Sequence, residues 1–313
     1  MYDLFLLIIG LVGLWGGSEL LISAAISVAD RYRLSDAYIG MVVLAIGTDL
    51  PEIFVAADAS LHSLLGEDFS RVVIGSAIGS CMGQFGLVLG VAGCFGFAPR
   101  PFNRIWRNGI FLLGGLAAVA LFSMDGVISR TQGWILMLLY AAYLLSLALW
   151  RPAADSSDAP LPQHKLSRDV AYLLVGFLVL LVAAELTVTH AVGFATYIGL
   201  SQLSVSAVII GLGSSLPELS VSLIAIWRGR GGLSVGNLMG SNVLDTLLVT
   251  GIGAAIAPLL VPPEVLSLDI PMLALVTTLA LVFLYASPRG IKAPEALLLL
   301  GIYLSYVGIR LLS

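Results

Sequence analysis

Charge is what this sequence has least of. Asp, Glu, Lys and Arg make up 11% of its 313 residues, against about 25% in a soluble domain. So few charges cannot cover a soluble surface of this size, which excludes an ordinary cytosolic enzyme and a disordered chain. Basic excess is also missing. Fifteen Lys and Arg face nineteen Asp and Glu, a net charge of −4, so nothing attracts a phosphate backbone and no nucleic-acid partner is expected. The two cysteines, Cys81 and Cys94, lie in apolar sequence, which argues against a disulfide scaffold. The three histidines, His62, His164 and His190, have no Cys or Glu at zinc spacing. HExxH and Gly-x-Gly-Asp patterns are absent too. Strands of alternating polarity are lacking, so a membrane β-barrel is excluded.

What is present is apolar sequence, 59% of the chain. It falls into ten candidate membrane helices at 3–29, 36–63, 70–97, 105–124, 130–150, 169–196, 203–228, 232–258, 267–286 and 292–312. Charges or prolines mark the breaks, except near Gly199 to Gln202, where the break carries no charge. Lys and Arg test the map. Twelve lie in loops after odd-numbered spans, and three (Arg71, Arg130 and Arg310) lie on the other side. The positive-inside rule then puts both termini outside and residues 151–168 in the cytoplasm. The first apolar stretch ends in Arg31-Tyr32-Arg33 without a basic N-terminal region; it reads as an uncleaved span. The Pro/Ala/Asp/Ser linker 151–168 separates two halves, 1–150 and 169–313.

The halves repeat. Gly47-Thr48-Asp49-Leu50-Pro51-Glu52 in the second span corresponds to Gly213-Ser214-Ser215-Leu216-Pro217-Glu218 in the seventh, 166 residues later. Glu19-Leu20 and Glu185-Leu186 keep the same offset. Gly75 to Gln84 in the third span corresponds to Gly236 to Asp245 in the eighth. The repeated segments are 36–97 and 203–258. Five spans per half is an odd number, so the second half enters the membrane with opposite polarity, the inverted repeat of many secondary transporters. The expected fold is therefore an all-α polytopic membrane protein, ten transmembrane helices as two inverted five-helix repeats.

Glu52 and Glu218 each lie about 15 residues into their helices, roughly 22–24 Å along the axis, so both reach the middle of the membrane. Pro51 and Pro217 remove a donor and free a carbonyl one turn earlier. A broken helix at that depth is tolerated only against protein or a wet cavity. Gly75, Gly79, Ser80, Gly83, Gly236, Gly240 and Ser241 are small enough for helices to approach closely.

Asp49, Glu52, Glu218 and Asp245 are acids at membrane depth. Each costs at least about 2.5–3.5 kcal/mol there, and no Lys or Arg shares their depth in the sequence. They require protons or bound cations. With hydroxyl, amide and carbonyl oxygens they form a hard ligand set suited to Ca²⁺, Na⁺ or H⁺. One Pro-Glu pair alone would read as a structural kink; two in register argue against that. Gly-x-x-x-Gly by itself is helix packing. Glu19 and Glu185, nearer the helix ends, suit a structural or gating role as well as ion binding. Asp58 reads as hydrated and His190 as a polar interface residue.

With these motifs in place, the sequence resembles the cation/calcium exchanger superfamily, the prokaryotic sodium/calcium exchangers in particular. Gly213 to Glu218 together with Gly236-Asn237, Gly240-Ser241-Asn242 and Asp245 carry the resemblance most closely. It implies alternating access by sliding of the first and sixth helices around a midplane carboxylate cluster. Glu52 and Glu218 would be the central acids, shared by Ca²⁺ and Na⁺, with Asp245 and Gln84 flanking them. Thr48, Ser80, Ser214, Ser215 and Ser241 would supply oxygens to sodium. The first half departs from the family pattern. Asp49 replaces a serine, Ser76 and Cys81 replace asparagines, and Gln84 stands for asparagine or aspartate. Asp49 brings the acids to four, and four neighbouring carboxylates do not all ionise without cations.

The resulting expectation is a secondary active Na⁺/Ca²⁺ antiporter of the inner or plasma membrane, not an enzyme. A proton-coupled or other cation/Ca²⁺ exchanger is the nearest rival; an intramembrane hydrolase using an acid pair and a channel fit the repeats less well. No cofactor is expected. The partners are the lipid bilayer and the transported Ca²⁺ and Na⁺, with H⁺ as a further candidate, and the chain is expected to act as a monomer.

Overall fold

The computed structural model describes residues 2–66, 68–94, 105–149, 165–197, 215–286 and 290–312. Ser214, Gly213, His164, the start of the seventh span, the break near 199–202 and most of the 151–168 linker lie outside them. Eleven helices are described: α1 (Tyr2–Tyr32), α2 (Asp36–Thr48), α3 (Leu50–Leu64), α4 (Ser70–Cys94), α5 (Ile105–Phe122), α6 (Arg130–Leu149), α7 (Leu166–Tyr197), α8 (Leu216–Trp227), α9 (Gly231–Ile256), α10 (Val265–Ala286) and α11 (Ala293–Leu312). One exception to all-helical structure is a two-residue antiparallel pair, β1 (Val127–Ile128) with β2 (Leu259–Leu260).

Among the described residues seven helices are long and apolar enough to cross a membrane, or eight if α2 and α3, interrupted at Asp49, count as one span. Arg107–Phe122 and Leu216–Trp227 are shorter apolar helices. The chain is thus an all-helical integral membrane protein. At 31 residues, α1 is about 46 Å long, more than the ~30 Å hydrocarbon core. Its large side chains Phe5, Ile8, Val12 and Trp15 all point outward. That spacing of three and four residues makes one apolar stripe, which suits lipid rather than water.

Local signals set the helix ends. Arg33 takes a left-handed conformation, φ 50°, and stops α1. Ser35 then caps α2, its Oγ accepting from the Tyr38 amide at 3.2 Å. Four wide π-helical turns interrupt the α-helical runs, at Gly40–Leu44, Gly83–Val88, Leu244–Val249 and Val265–Asp269.

The described residues form two compact units. The first comprises residues 1–48, 152–237 and 304–313. Within it α1 and α7 run antiparallel along most of their length. Gly17 and Gly176 lie at their crossing; a Cβ on either would come within about 3.0 Å of the other helix's backbone. Such small residues let the axes approach, and Leu14, Leu21, Ile22, Leu180, Val221 and Ile224 fill the core around them. A second crossing, between α2 and the start of α9, is tighter. A Cβ on Gly236 would strike the Ala37 carbonyl, and one on Gly40 the Leu233 carbonyl.

Polar pairs tie this unit's helices. Ser18 donates to Ser220 Oγ at 2.7 Å, and Ser220 donates to the Leu14 carbonyl at 3.0 Å. Arg228 is ion-paired with Glu19, and Arg31 with Asp169 at 3.1 Å. Burial acts to lower the Arg230 pKa, but the carboxylates of Asp36 and Asp30 outweigh it and hold the guanidinium above its ordinary value.

The second unit comprises residues 49–151 and 238–303. In it the last turns of α9 pack on α6 and α3, and Phe85, Met82 and Leu89 of α4 are fully buried. Ser70, at the start of α4, accepts from the Leu260 amide at 2.9 Å and so ties α4 to the β pair. Among the described residues, a Cβ on Gly75 or Gly79 would meet nothing within 4 Å.

Candidate functional site

In the second unit the site begins where α3 begins. Asp49 caps that helix with φ −91° and ψ 7°, outside helical geometry. Pro51 sits in the first turn, where a missing N–H costs nothing. The Ile53 amide donates to the Asp49 carbonyl at 3.1 Å, while the Asp49 side chain makes no capping bond. Glu52, in the same first turn, is 3% exposed.

Two π turns face this break. Gln84 occupies that of α4 and Asp245 that of α9. The Gln84 amide nitrogen donates to Ser80 Oγ at 3.0 Å and to Asp245 Oδ2 at 3.2 Å. Its amide oxygen accepts from Asn242 Nδ2 at 2.5 Å, and Asn242 also donates to the Leu238 carbonyl at 2.9 Å. Asp245 lies within electrostatic reach of both Asp49 and Glu52. Cys81 packs beside them, its sulfur 3.7 Å from the Asn242 carbonyl and 3.6 Å from Thr246 Oγ1. All of these residues are buried.

The first unit holds the matching break. Ser215 caps α8 with φ −94° and ψ 2°, and Pro217 again lies in the first turn. These angles repeat those of Asp49 within a few degrees, so the shared Leu-Pro-Glu sequence produces one local conformation twice. The Leu219 amide donates to the Ser215 carbonyl at 2.9 Å. Glu218 and Thr48 are fully buried. Thr48 Oγ1 lies 3.4 Å from the Ala45 carbonyl and 3.5 Å from Asn237 Oδ1.

Several buried oxygens have no hydrogen-bond partner among the described residues: Glu52 Oε2, Asp245 Oδ1, and the hydroxyls of Ser215, Ser222, Ser234 and Ser241. A buried polar atom left this way costs a few kcal/mol. A small cation would satisfy such oxygens, and all of them are hard ligands. Among the described residues no three His, Cys, Asp or Glu side chains converge as a ready-made metal cage. The second unit's acids are instead interleaved with amides and hydroxyls.

The structure therefore brings Asp49, Glu52, Ser80, Gln84 and Asp245 into one unit, with Ser241 buried one turn before Asp245. Thr48, Ser215 and Glu218 belong to the other. Ser214 lies outside the described residues. The sequence marks Asn237 and Asn242 only as carriers of the resemblance, with no ion-site role, and does not mark Ser222 or Ser234 at all. Asn242 had a readable signal, adjoining Ser241 in the repeated Gly-Ser motif; the two serines had none. Glu19 is an ion-pair partner. Glu185 is exposed and accepts from Thr189 at 3.3 Å. Asp58 is exposed, and His190 is a polar contact, 2.9 Å from Asp3.

Comparison with known proteins follows the same lines. Residues 2–149 and 169–312 match the family described as sodium/calcium exchanger protein. An uncharacterised membrane protein of Methanocaldococcus jannaschii is 31% identical over 302 residues, 95% of this chain and 94% of that one. The sodium/calcium exchanger MaX1 of Methanosarcina acetivorans is 24% identical over 346 residues, 97% of each chain. Among solved structures, the sodium-calcium exchanger NCX_Mj soaked with zero Na⁺ and Ca²⁺ aligns with a TM-score of 0.83 at 29% identity, covering 98% of both chains.

Proposed function

This chain belongs to the sodium/calcium exchanger family, and from that premise we propose that it is a secondary active antiporter exchanging Na⁺ for Ca²⁺. The observation that carries the reading is the pair of buried carboxylate oxygens, Glu52 Oε2 and Asp245 Oδ1, left without a partner among the described residues. Set among hydroxyls and amides, they offer oxygen ligands at a depth where a bare charge is expensive. Ca²⁺ and Na⁺ compete for overlapping oxygens, and inward Na⁺ drives Ca²⁺ out.

In this reading the chain has ten spans as two inverted repeats, 1–150 and 169–313, joined by the cytoplasmic linker 151–168, with both termini outside. The repeated cap angles at Asp49 and Ser215 support the repeat, and the Lys/Arg asymmetry supports the orientation. Glu52 and Glu218 are the acids shared by both ions, on the strength of their matched motifs. Asp245, Asp49, Gln84, Thr48, Ser80, Ser214, Ser215 and Ser241 complete the ion-binding set. Access alternates by sliding of the first and sixth helices. The protein needs no cofactor and works as a monomer in the bilayer.

A second reading, in which H⁺ joins the exchange, draws on Asp49, a fully buried fourth acid. A flux assay in proteoliposomes separates the two. ⁴⁵Ca²⁺ uptake is compared under outward Na⁺, K⁺ and H⁺ gradients. Uptake driven by Na⁺ is expected; uptake driven by H⁺ alone replaces the first reading with the second, and no driven uptake removes both.

A further inference from the structure

Gln84 has a fixed orientation, and the fixing comes from outside the side chain. The Leu238 carbonyl is only an acceptor, so the Asn242 atom facing it at 2.9 Å is the amide nitrogen. The second hydrogen of that nitrogen points to Gln84 at 2.5 Å, and it requires an oxygen there. The remaining end of Gln84 is therefore its NH₂ group, directed at Ser80 Oγ and Asp245 Oδ2. One backbone carbonyl thus sets the polarity of two amides in series. The end that meets the carboxylate is a donor, the part a cation would play, and not a ligand for one.

We propose that Gln84 is a built-in competitor of the transported cation, its amide donor occupying Asp245 Oδ2 whenever the ion is absent. Asp245 Oδ1 stays unpartnered among the described residues and receives the incoming ion. Full capture of the carboxylate then requires the Gln84 donor to withdraw from Oδ2. On release the donor returns and covers the charge that the ion leaves behind. An antiporter must let go of its cargo on the far side, and a resident donor weakens binding without adding a charge. This role rests on the reading of Asp245 as a cation ligand, and it reverses the sign expected of Gln84 itself. Loss of a ligand weakens binding; loss of a competitor tightens it.

The test measures Ca²⁺ affinity by calorimetry on the purified full-length protein in nanodiscs, for wild type, Gln84→Met and Asp245→Asn. Gln84→Met keeps the length and removes the donor. Its apparent Kd for Ca²⁺ is expected to fall about tenfold, the worth of one hydrogen bond to a charged group, while turnover in liposomes slows. An unchanged or higher Kd in Gln84→Met, with Ca²⁺ binding lost in Asp245→Asn, overturns the competitor role and leaves the exchanger reading intact. Wild-type affinity in Asp245→Asn overturns the reading beneath it.

A second measurement needs no variant. The chain has four glutamines, Gln84, Gln132, Gln163 and Gln202, and their side-chain amides can be labelled with ¹⁵N. On adding Ca²⁺ to wild type, one amide proton pair should move upfield as its donor leaves the carboxylate. No movement, or a downfield one, overturns the proposal.

Discussion

Asp36 Oδ1 lies 2.9 Å from Arg230 Nη1. The same guanidinium reaches both oxygens of Asp30 at 3.1 Å, so one cation fastens the end of α1, the start of α2 and the turn before α9 within the first unit. Arg230→Gln leaves two carboxylates, one of them nearly buried, without their shared cation. A loss of stability on the order of 1–3 kcal/mol is expected, read as a lower unfolding midpoint of the detergent-purified protein. The pKa of Arg230 is raised, so its contribution is fully present below the unfolded value and fades only above it, in strongly alkaline solution. The difference between wild type and variant should therefore contain no Arg230 titration between pH 6 and 9.

Glu52→Gln and Glu218→Gln are each expected to abolish Na⁺-driven ⁴⁵Ca²⁺ uptake in proteoliposomes while the protein remains folded. Glutamine is close in size to glutamate, and each acid stands behind a proline in a first helical turn, so the backbone has no reason to change. Uptake at the wild-type rate by either variant removes that residue from the ion path.

Cysteines introduced between residues 151 and 164 should react with a membrane-impermeant maleimide only after cells are opened. A cysteine placed beside Tyr2 should react in intact cells. The expectation rests on twelve Lys and Arg on one side of the map against three on the other. Labelling of the 151–164 site from outside would invert the topology.

Asp49→Ser should flatten the dependence of Ca²⁺ affinity on pH. Where protons and cations compete for the same carboxylates, apparent affinity rises as pH rises. Serine keeps a small hydroxyl at the cap of α3 and removes one acid from that competition. Affinity profiles of wild type and variant between pH 6 and 9 decide the matter. If the two superimpose, Asp49 takes no part in the ion chemistry.

Much of the helical layout is legible in the sequence because lipid imposes length and polarity on each run. The expected span 130–150 is found as Arg130–Leu149, while 105–124 is found as the helix Ile105–Phe122, whose described apolar part, Arg107–Phe122, is among the shorter ones. The break before Glu52 was readable from Pro51, and so was its counterpart at Ser215. Other features left no mark. Nothing in Gly-Gln-Phe-Gly announces a π turn, because wide turns answer to packing and not to propensity. The donor role of Gln84 toward Asp245 depends on Asn242 and Leu238, about 155 residues away in the chain, and no local pattern encodes it. Gly17 and Gly176 lie at a helix crossing that the repeated motifs do not mark, whereas the Gly75–Gly79 spacing has no helix within 4 Å of a Cβ among the described residues.

Each wide turn also holds one residue more than an α turn, which sets everything after it back by about 100° around the axis relative to an unbroken α-helix. α4 is thus two helical phases joined at Gly83–Val88, and α9 two joined at Leu244–Val249. A substitution scan along α4 should show tolerance repeating every 3.6 residues, then slip by one position through the turn before resuming. Deleting a single residue inside Gly83–Val88 would close that turn to an ordinary α turn, and the side chains from Leu89 onward would keep the neighbours they have.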